Sequence, residues 1–114
     1  MTDLIDITDN NFDAEVLGSR EPVLVDYWAP WCAPCRMLAP VIEQLAREHP
    51  GTLRVARVNV DEHPRLAESA GVKGIPHLVL YNAGQVSAEL TGAHPRAVIE
   101  RAFGLEHGAR DLAA

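Results

Sequence analysis

The chain has 114 residues, 47% apolar and 23% charged, the proportions of an ordinary globular protein with one core. Its formal net charge is −6 with no basic run, which argues against nucleic acid and anionic membranes as partners. No apolar stretch approaches the ~20 residues a membrane span needs, and the acidic first six residues contain no apolar signal region.

In chain order, residues 4–7 read as a short strand. Thr8 or Asp9 can cap a helix over 9–17, with Phe12 and Val16 inward and Gly18 at its end. Residues 22–28 carry an apolar run typical of a strand buried on both faces. A long helix is predicted from Cys32 to Glu48, kinked at Pro40 and stopped by His49-Pro50-Gly51. Residues 53–60 form a second buried strand, and 61–71 a short helix with Pro64 near its start. Residues 75–81 form a strand headed by Pro76, Asn82-Ala83-Gly84-Gln85 a hairpin turn, and 86–90 the return strand. Pro95 opens a last helix carrying Val98, Ile99, Ala102 and Phe103. Strands alternating with helices predict an α/β fold: a mainly parallel central sheet, an antiparallel C-terminal hairpin, and helices on both faces. One domain over 1–107 and a frayed tail over 108–114 are expected, with no repeat, linker or low-complexity segment.

The chemistry centres on the stretch from Asp26 to Cys35, which contains the only two cysteines, Cys32 and Cys35. They fall where a strand ends and a helix begins. The first turn of a helix presents unpaired N–H groups and the positive end of its dipole, so a Cys32 thiolate is stabilised there. The thiolate, not the thiol, attacks a disulfide. Cys35, one turn on along the same face, can reach Cys32 and resolve the mixed disulfide. Pro34 suits the first helical turn and stiffens the loop between the sulfurs. A structural zinc site needs four ligands, and neither a second cysteine pair nor a nearby histidine supplies them; no metal site is expected. Asp26 stands in an apolar strand, where desolvation raises a carboxyl pKa and lets it exchange protons near neutrality.

Phe12, Asp26, the run Trp28-Ala29-Pro30-Trp31-Cys32, Pro34-Cys35, Pro40, Gly74-Ile75-Pro76, Gly84 and Gly92 together closely resemble the thioredoxin family. The resemblance covers roughly residues 2–106. It implies the thioredoxin fold and a cytosolic protein-disulfide reductase, acting as a monomer. It implies that Cys32 attacks, Cys35 resolves, and Asp26 helps deprotonate the resolving thiol. It places a cis proline at Pro76 beside the dithiol, with the Ile75 backbone pairing to an extended substrate segment for which Gly74 and Gly92 leave room. Trp31, Ala33 and Pro34 would complete the substrate surface, and Trp28 would serve packing. Disulfide-containing client proteins and a thioredoxin reductase, usually a flavoenzyme using NADPH, are the implied partners. No cofactor is expected on this chain; its redox group is the Cys32–Cys35 disulfide.

Three positions depart from that pattern or vary within it. Ala33 replaces the usual glycine between the cysteines, and its methyl group could narrow partner choice or shift the potential. Arg57 stands where lysine is frequent; a fixed charge there could hold down the Asp26 pKa but could not shuttle a proton. Its other reading is an exposed strand-end cation. His77 replaces the usual threonine after the proline and is either a titratable modulator of the site or a satisfied structural histidine. A rival overall reading is a redox-independent scaffold or chaperone on the same fold. An oxidase or isomerase is a third, against which Pro34 argues, since those relatives more often carry histidine there.

Overall fold

The structure, a computed structural model, describes residues 4–106. Five strands form one sheet: β1 (Leu4–Ile7), β2 (Val23–Trp28), β3 (Arg54–Asn59), β4 (His77–Asn82) and β5 (Gln85–Thr91). Its order is β1-β3-β2-β4-β5. Three α-helices accompany it: α1 (Ala33–Glu48), α2 (Pro64–Ser69) and α3 (Arg96–Phe103). The boundary expected at residue 107 and the tail at 108–114 lie outside the described residues.

The central strand β2 explains its apolar run. Five of its six residues are buried, because helices cover both faces of the sheet. Leu24 packs with Leu38, Ile42 and Leu45 of α1 and Ile99 and Phe103 of α3. Val23, Val25 and Tyr27 point the other way, toward Val16, Phe12 and the α2 residues Leu66 and Ala67. Burial of each such large side chain contributes roughly 1.5–3 kcal/mol. In α1 the buried residues Cys35, Leu38, Ile42 and Leu45 recur at the three- and four-residue spacing of one helix face.

Three elements differ from the sequence expectation. The helix expected over 9–17 is a turn followed by a π-helical turn, Asp13–Leu17, closed by the Gly18 N–H on the Asp13 carbonyl at 2.8 Å. Phe12 and Val16, four apart, suit either winding, so their spacing could not separate the two. The proline expected at the head of β4 precedes it: the ladder to β5 begins at His77. The sheet is evenly mixed. β1, β3 and β2 run parallel, but β4 is already antiparallel to β2, one strand before the hairpin. The reason is length. The six residues of α2 rise about 9 Å, whereas a six-residue strand runs about 20 Å. The segment between β3 and β4 leaves and re-enters the sheet at the same end of the strands, where Asn59 lies opposite Trp28 and His77 opposite Tyr27.

Ala83 and Gly84 both have positive φ (53° and 80°), as the tight turn between β4 and β5 requires. Within that hairpin the register slips: Leu80 pairs with Ala88, but Tyr81 pairs with Val86. Ser87 is the extra residue of a bulge, and its hydroxyl donates to the Leu80 carbonyl at 3.3 Å.

Candidate active site

The end of β2 and the start of α1 build the site. Trp28 closes the strand. Ala29 turns the chain by accepting from the Cys32 N–H at 3.2 Å, and the Arg36 guanidinium braces the loop through the Pro30 carbonyl at 2.8 Å. Cys32 is the N-cap of α1, with extended backbone, and Cys35 lies in the first turn. The two are joined as a disulfide with their Cα atoms 5.2 Å apart. Pro34 occupies a first-turn position where its missing N–H costs nothing.

Accessibility barely separates the two sulfurs in this closed form: Cys32 is 4% exposed and Cys35 1%. Their hydrogen bonding separates them more. The Cys35 N–H donates to Cys32 Sγ at 3.2 Å, one of the orphan donors of the helix terminus aimed at that sulfur. Charge developing on Cys32 is therefore met by a backbone donor and the helix dipole.

Ile75-Pro76 is a cis peptide bond. It sets the Ile75 carbonyl 3.9 Å from Cys32 Sγ, and Ile75 packs against the cysteine pair. The next carbonyl, of Pro76, accepts from the Gly92 N–H at 2.7 Å. Gly92 has φ +101°, a conformation that side chains resist, and an added Cβ would lie 3.4 Å from His94 Nε2. Gly92→Ala is therefore expected to lower unfolding stability by about 1–2 kcal/mol, read as a fall in the thermal midpoint; an unchanged midpoint would count against the strain. Gly74 has no such backbone requirement, and a Cβ there would make only ordinary contact with Thr91.

The surface around the disulfide is apolar and open. Ala33, Pro34 and Gly74 are exposed, and Trp31 is 67% exposed. The Trp31 indole N–H donates to Asp61 Oδ2 at 2.9 Å, which orients the ring. Asp61 was invisible to the sequence reading, since nothing in local spacing links it to Trp31. Met37, 75% exposed, was also missed; an apolar residue off the buried stripe of α1 was the available signal.

Behind the disulfide, Trp28 packs on the cysteine pair, and the Arg57 guanidinium lies 3.9 Å from the centre of its ring. Asp26 is opposite Arg57 on β3 and Leu78 on β4, on the face that α1 covers. It is 1% exposed and neither carboxyl oxygen has a hydrogen-bond partner. Burial raises its pKa from 3.8 to about 7, against the opposing pull of the Arg57 charge. His77 lies elsewhere. It alternates with Val79 and Tyr81 on the opposite face, with Nδ1 2.8 Å from Thr91 Oγ1 and Nε2 2.9 Å from Glu89 Oε1. Both ring nitrogens tie β4 to β5, and neither is left to face the disulfide. Among the described residues no group of three or more His, Cys, Asp or Glu is placed to hold a metal ion.

A disulfide at a helix N-cap, a cis proline across from it and a buried carboxyl behind it define a dithiol–disulfide oxidoreductase on a five-stranded α/β scaffold. The thioredoxin family model matches residues 3–103. Over 95 residues the chain is 44% identical to thioredoxin 1 of a Nostoc species, covering 83% of this chain and 89% of that protein. Over 85 residues it is 48% identical to the thioredoxin of Thiocapsa roseopersicina, covering 75% and 93%. It is also 43% identical over 91 residues to the chloroplastic thioredoxin M5 of rice, covering 80% of this chain and 53% of that protein. The chain belongs to the thioredoxin family.

Proposed function

We propose that this chain reduces client protein disulfides, with Cys32 as the attacking and Cys35 as the resolving sulfur. The observation that carries the assignment is the Cys35 N–H on Cys32 Sγ at the helix N-cap. A Cys32 thiolate attacks the client disulfide, one client sulfur leaves as a thiolate, and a mixed disulfide forms. Cys35 then attacks Cys32 Sγ, the second client sulfur leaves, and the Cys32–Cys35 disulfide closes. The client gains two electrons and the dithiol loses two. Asp26, titrating near neutrality, takes the Cys35 proton as that thiol attacks. The backbone of Ile75 aligns an extended client segment, Gly92 leaves it room, and Trp31 with Ala33 and Pro34 supplies apolar contact.

A thioredoxin reductase drawing on NADPH would return the electrons, and the cytoplasm is the compartment proposed; the plastid relative shows that the family is not confined to it. No helix among the described residues is long and apolar enough to cross a membrane. The direct test is insulin reduction driven by NADPH and thioredoxin reductase, followed as loss of NADPH. Turnover in that assay that vanishes in Cys32→Ser supports the reading; no turnover in the native protein refutes it. The order of the sulfurs has its own test. Alkylation of the reduced protein near neutral pH should label Cys32 first, and preferential labelling of Cys35 would reverse the two roles.

A further inference from the structure

We propose that the groove between α1 and the segment entering α3 is a subsite for one apolar side chain of the client polypeptide. This rests on the disulfide-reductase reading above. The groove has a volume of about 240 Å³. Leu38 and Val41 form its floor, Met37 one wall, and Ala93 with Pro95 the other. An apolar cavity of ~150 Å³ already accepts a benzene ring, so an aromatic or leucine side chain fits.

Its position follows from the chain. Ala93 directly follows Gly92, whose N–H is bonded to the Pro76 carbonyl beside the disulfide. One wall is thus a continuation of the loop that flanks the attacking sulfur. Met37 is five residues beyond Cys32 along α1, about 7–8 Å along the helix axis. Two or three residues of extended client chain span that distance.

The charges nearby select an uncharged occupant. Arg96 closes the far end, and its guanidinium donates to Glu48, Glu100 and Gln44. His94 Nε2 is tied to the Thr91 carbonyl at 2.7 Å. Among the described residues that line the groove, Arg96 is the charged side chain and it is already paired, while the exposed Met37 side chain gains by being covered. A stable pair of copies would bury about 800 Å² on each partner, far more than a groove of one side chain supplies. A client segment already held at the disulfide needs no such area.

The test uses symmetric disulfide dimers of a short alanine-rich peptide with one cysteine. Phenylalanine, alanine or glutamate is placed two or three residues before or after that cysteine. The prereduced protein is mixed with each, and the second-order rate of peptide thiol release is read by chromatography. Phenylalanine at one of those positions should react about tenfold faster than alanine, and glutamate more slowly. Met37→Glu, and separately Ala93→Glu, should bring the phenylalanine-to-alanine ratio close to one. Because the ratio is taken within each variant, a loss of folded protein cannot produce it. Equal rates for phenylalanine and alanine at every position would overturn the subsite while leaving the reductase intact. So would a ratio that survives both variants. If no peptide is reduced, the reductase reading falls, and the subsite with it. If Met37→Glu instead converts a dimer to monomer in sedimentation while native peptide rates are equal, the groove belongs to a second copy.

Discussion

Cys35→Ser protein is expected to stop after its first attack and to accumulate partners covalently bound through Cys32. The chain has no third cysteine, so no other sulfur of its own can displace the client. The adduct should persist until an external thiol arrives. The local structure favours its formation, since serine at position 35 keeps the backbone N–H that reaches Cys32 Sγ at 3.2 Å. The measurement is a non-reducing gel of extract passed over immobilised Cys35→Ser protein, with elution by dithiothreitol. Partners released only by the thiol are the expected outcome. A scaffold predicts the reverse: nothing trapped by Cys35→Ser, and the same proteins held by a double cysteine-to-serine variant as by the native chain. That result would replace the reductase.

Asp26→Ala is expected to stabilise the fold and slow the reaction together. The carboxyl sits in the core with neither oxygen hydrogen-bonded, and its pKa is raised from 3.8 to about 7, by burial first. Below pH 4 it is neutral in both folded and unfolded chains. As pH rises, the unfolded chain gives up its proton first, so stability falls through the interval from about 4 to about 7. Above it the loss is complete, about 4 kcal/mol at ~1.36 kcal/mol per pKa unit. Replacement by alanine should therefore raise the denaturant midpoint strongly at pH 8 and much less at pH 4. Reduction of a disulfide substrate at pH 7 should slow by about tenfold or more. Equal stability gains at both pH values would show that the carboxyl does not titrate in that interval. A variant that is fully active would remove Asp26 from the resolving step.

The parts of this molecule legible in the sequence were those where a residue contradicts its surroundings. Asp26 in an apolar strand and two cysteines at a strand-to-helix junction each needed a reason, and the expected positions are the observed ones: Asp26 is buried in β2, and Cys32 caps α1. Strand direction left no such mark. The run at 77–82 is equally apolar whichever way it lies, so its antiparallel pairing to β2 had to come from the shortness of α2. His77 could not be oriented for a related reason. Alternation assigns a face only once the first paired residue is known, and the ladder starts two residues later than the strand pattern implied. The bond from Trp31 to Asp61 spans thirty residues and depends on the path between β3 and α2.

The bulge at Ser87 makes one strand serve two cores. Ala88 and Leu90 lie against the cluster under α1 and α3. Were the strand regular, Val86 would fall on that side too, since it is an even step away. The extra residue instead delivers Val86 opposite Tyr81, beside Phe12 and Leu66 on the far face. The hairpin thus has a reading frame, and Ser87 is its frameshift. Straightening the strand with Ser87 kept in the ladder would force it either to turn Val86 away from Tyr81 or to lift Ala88 and Leu90 out of the other core, although every side chain involved in packing would still be present. Deleting Ser87 would instead make Val86 and Ala88 neighbours, and plain alternation would then keep each on the face it now occupies.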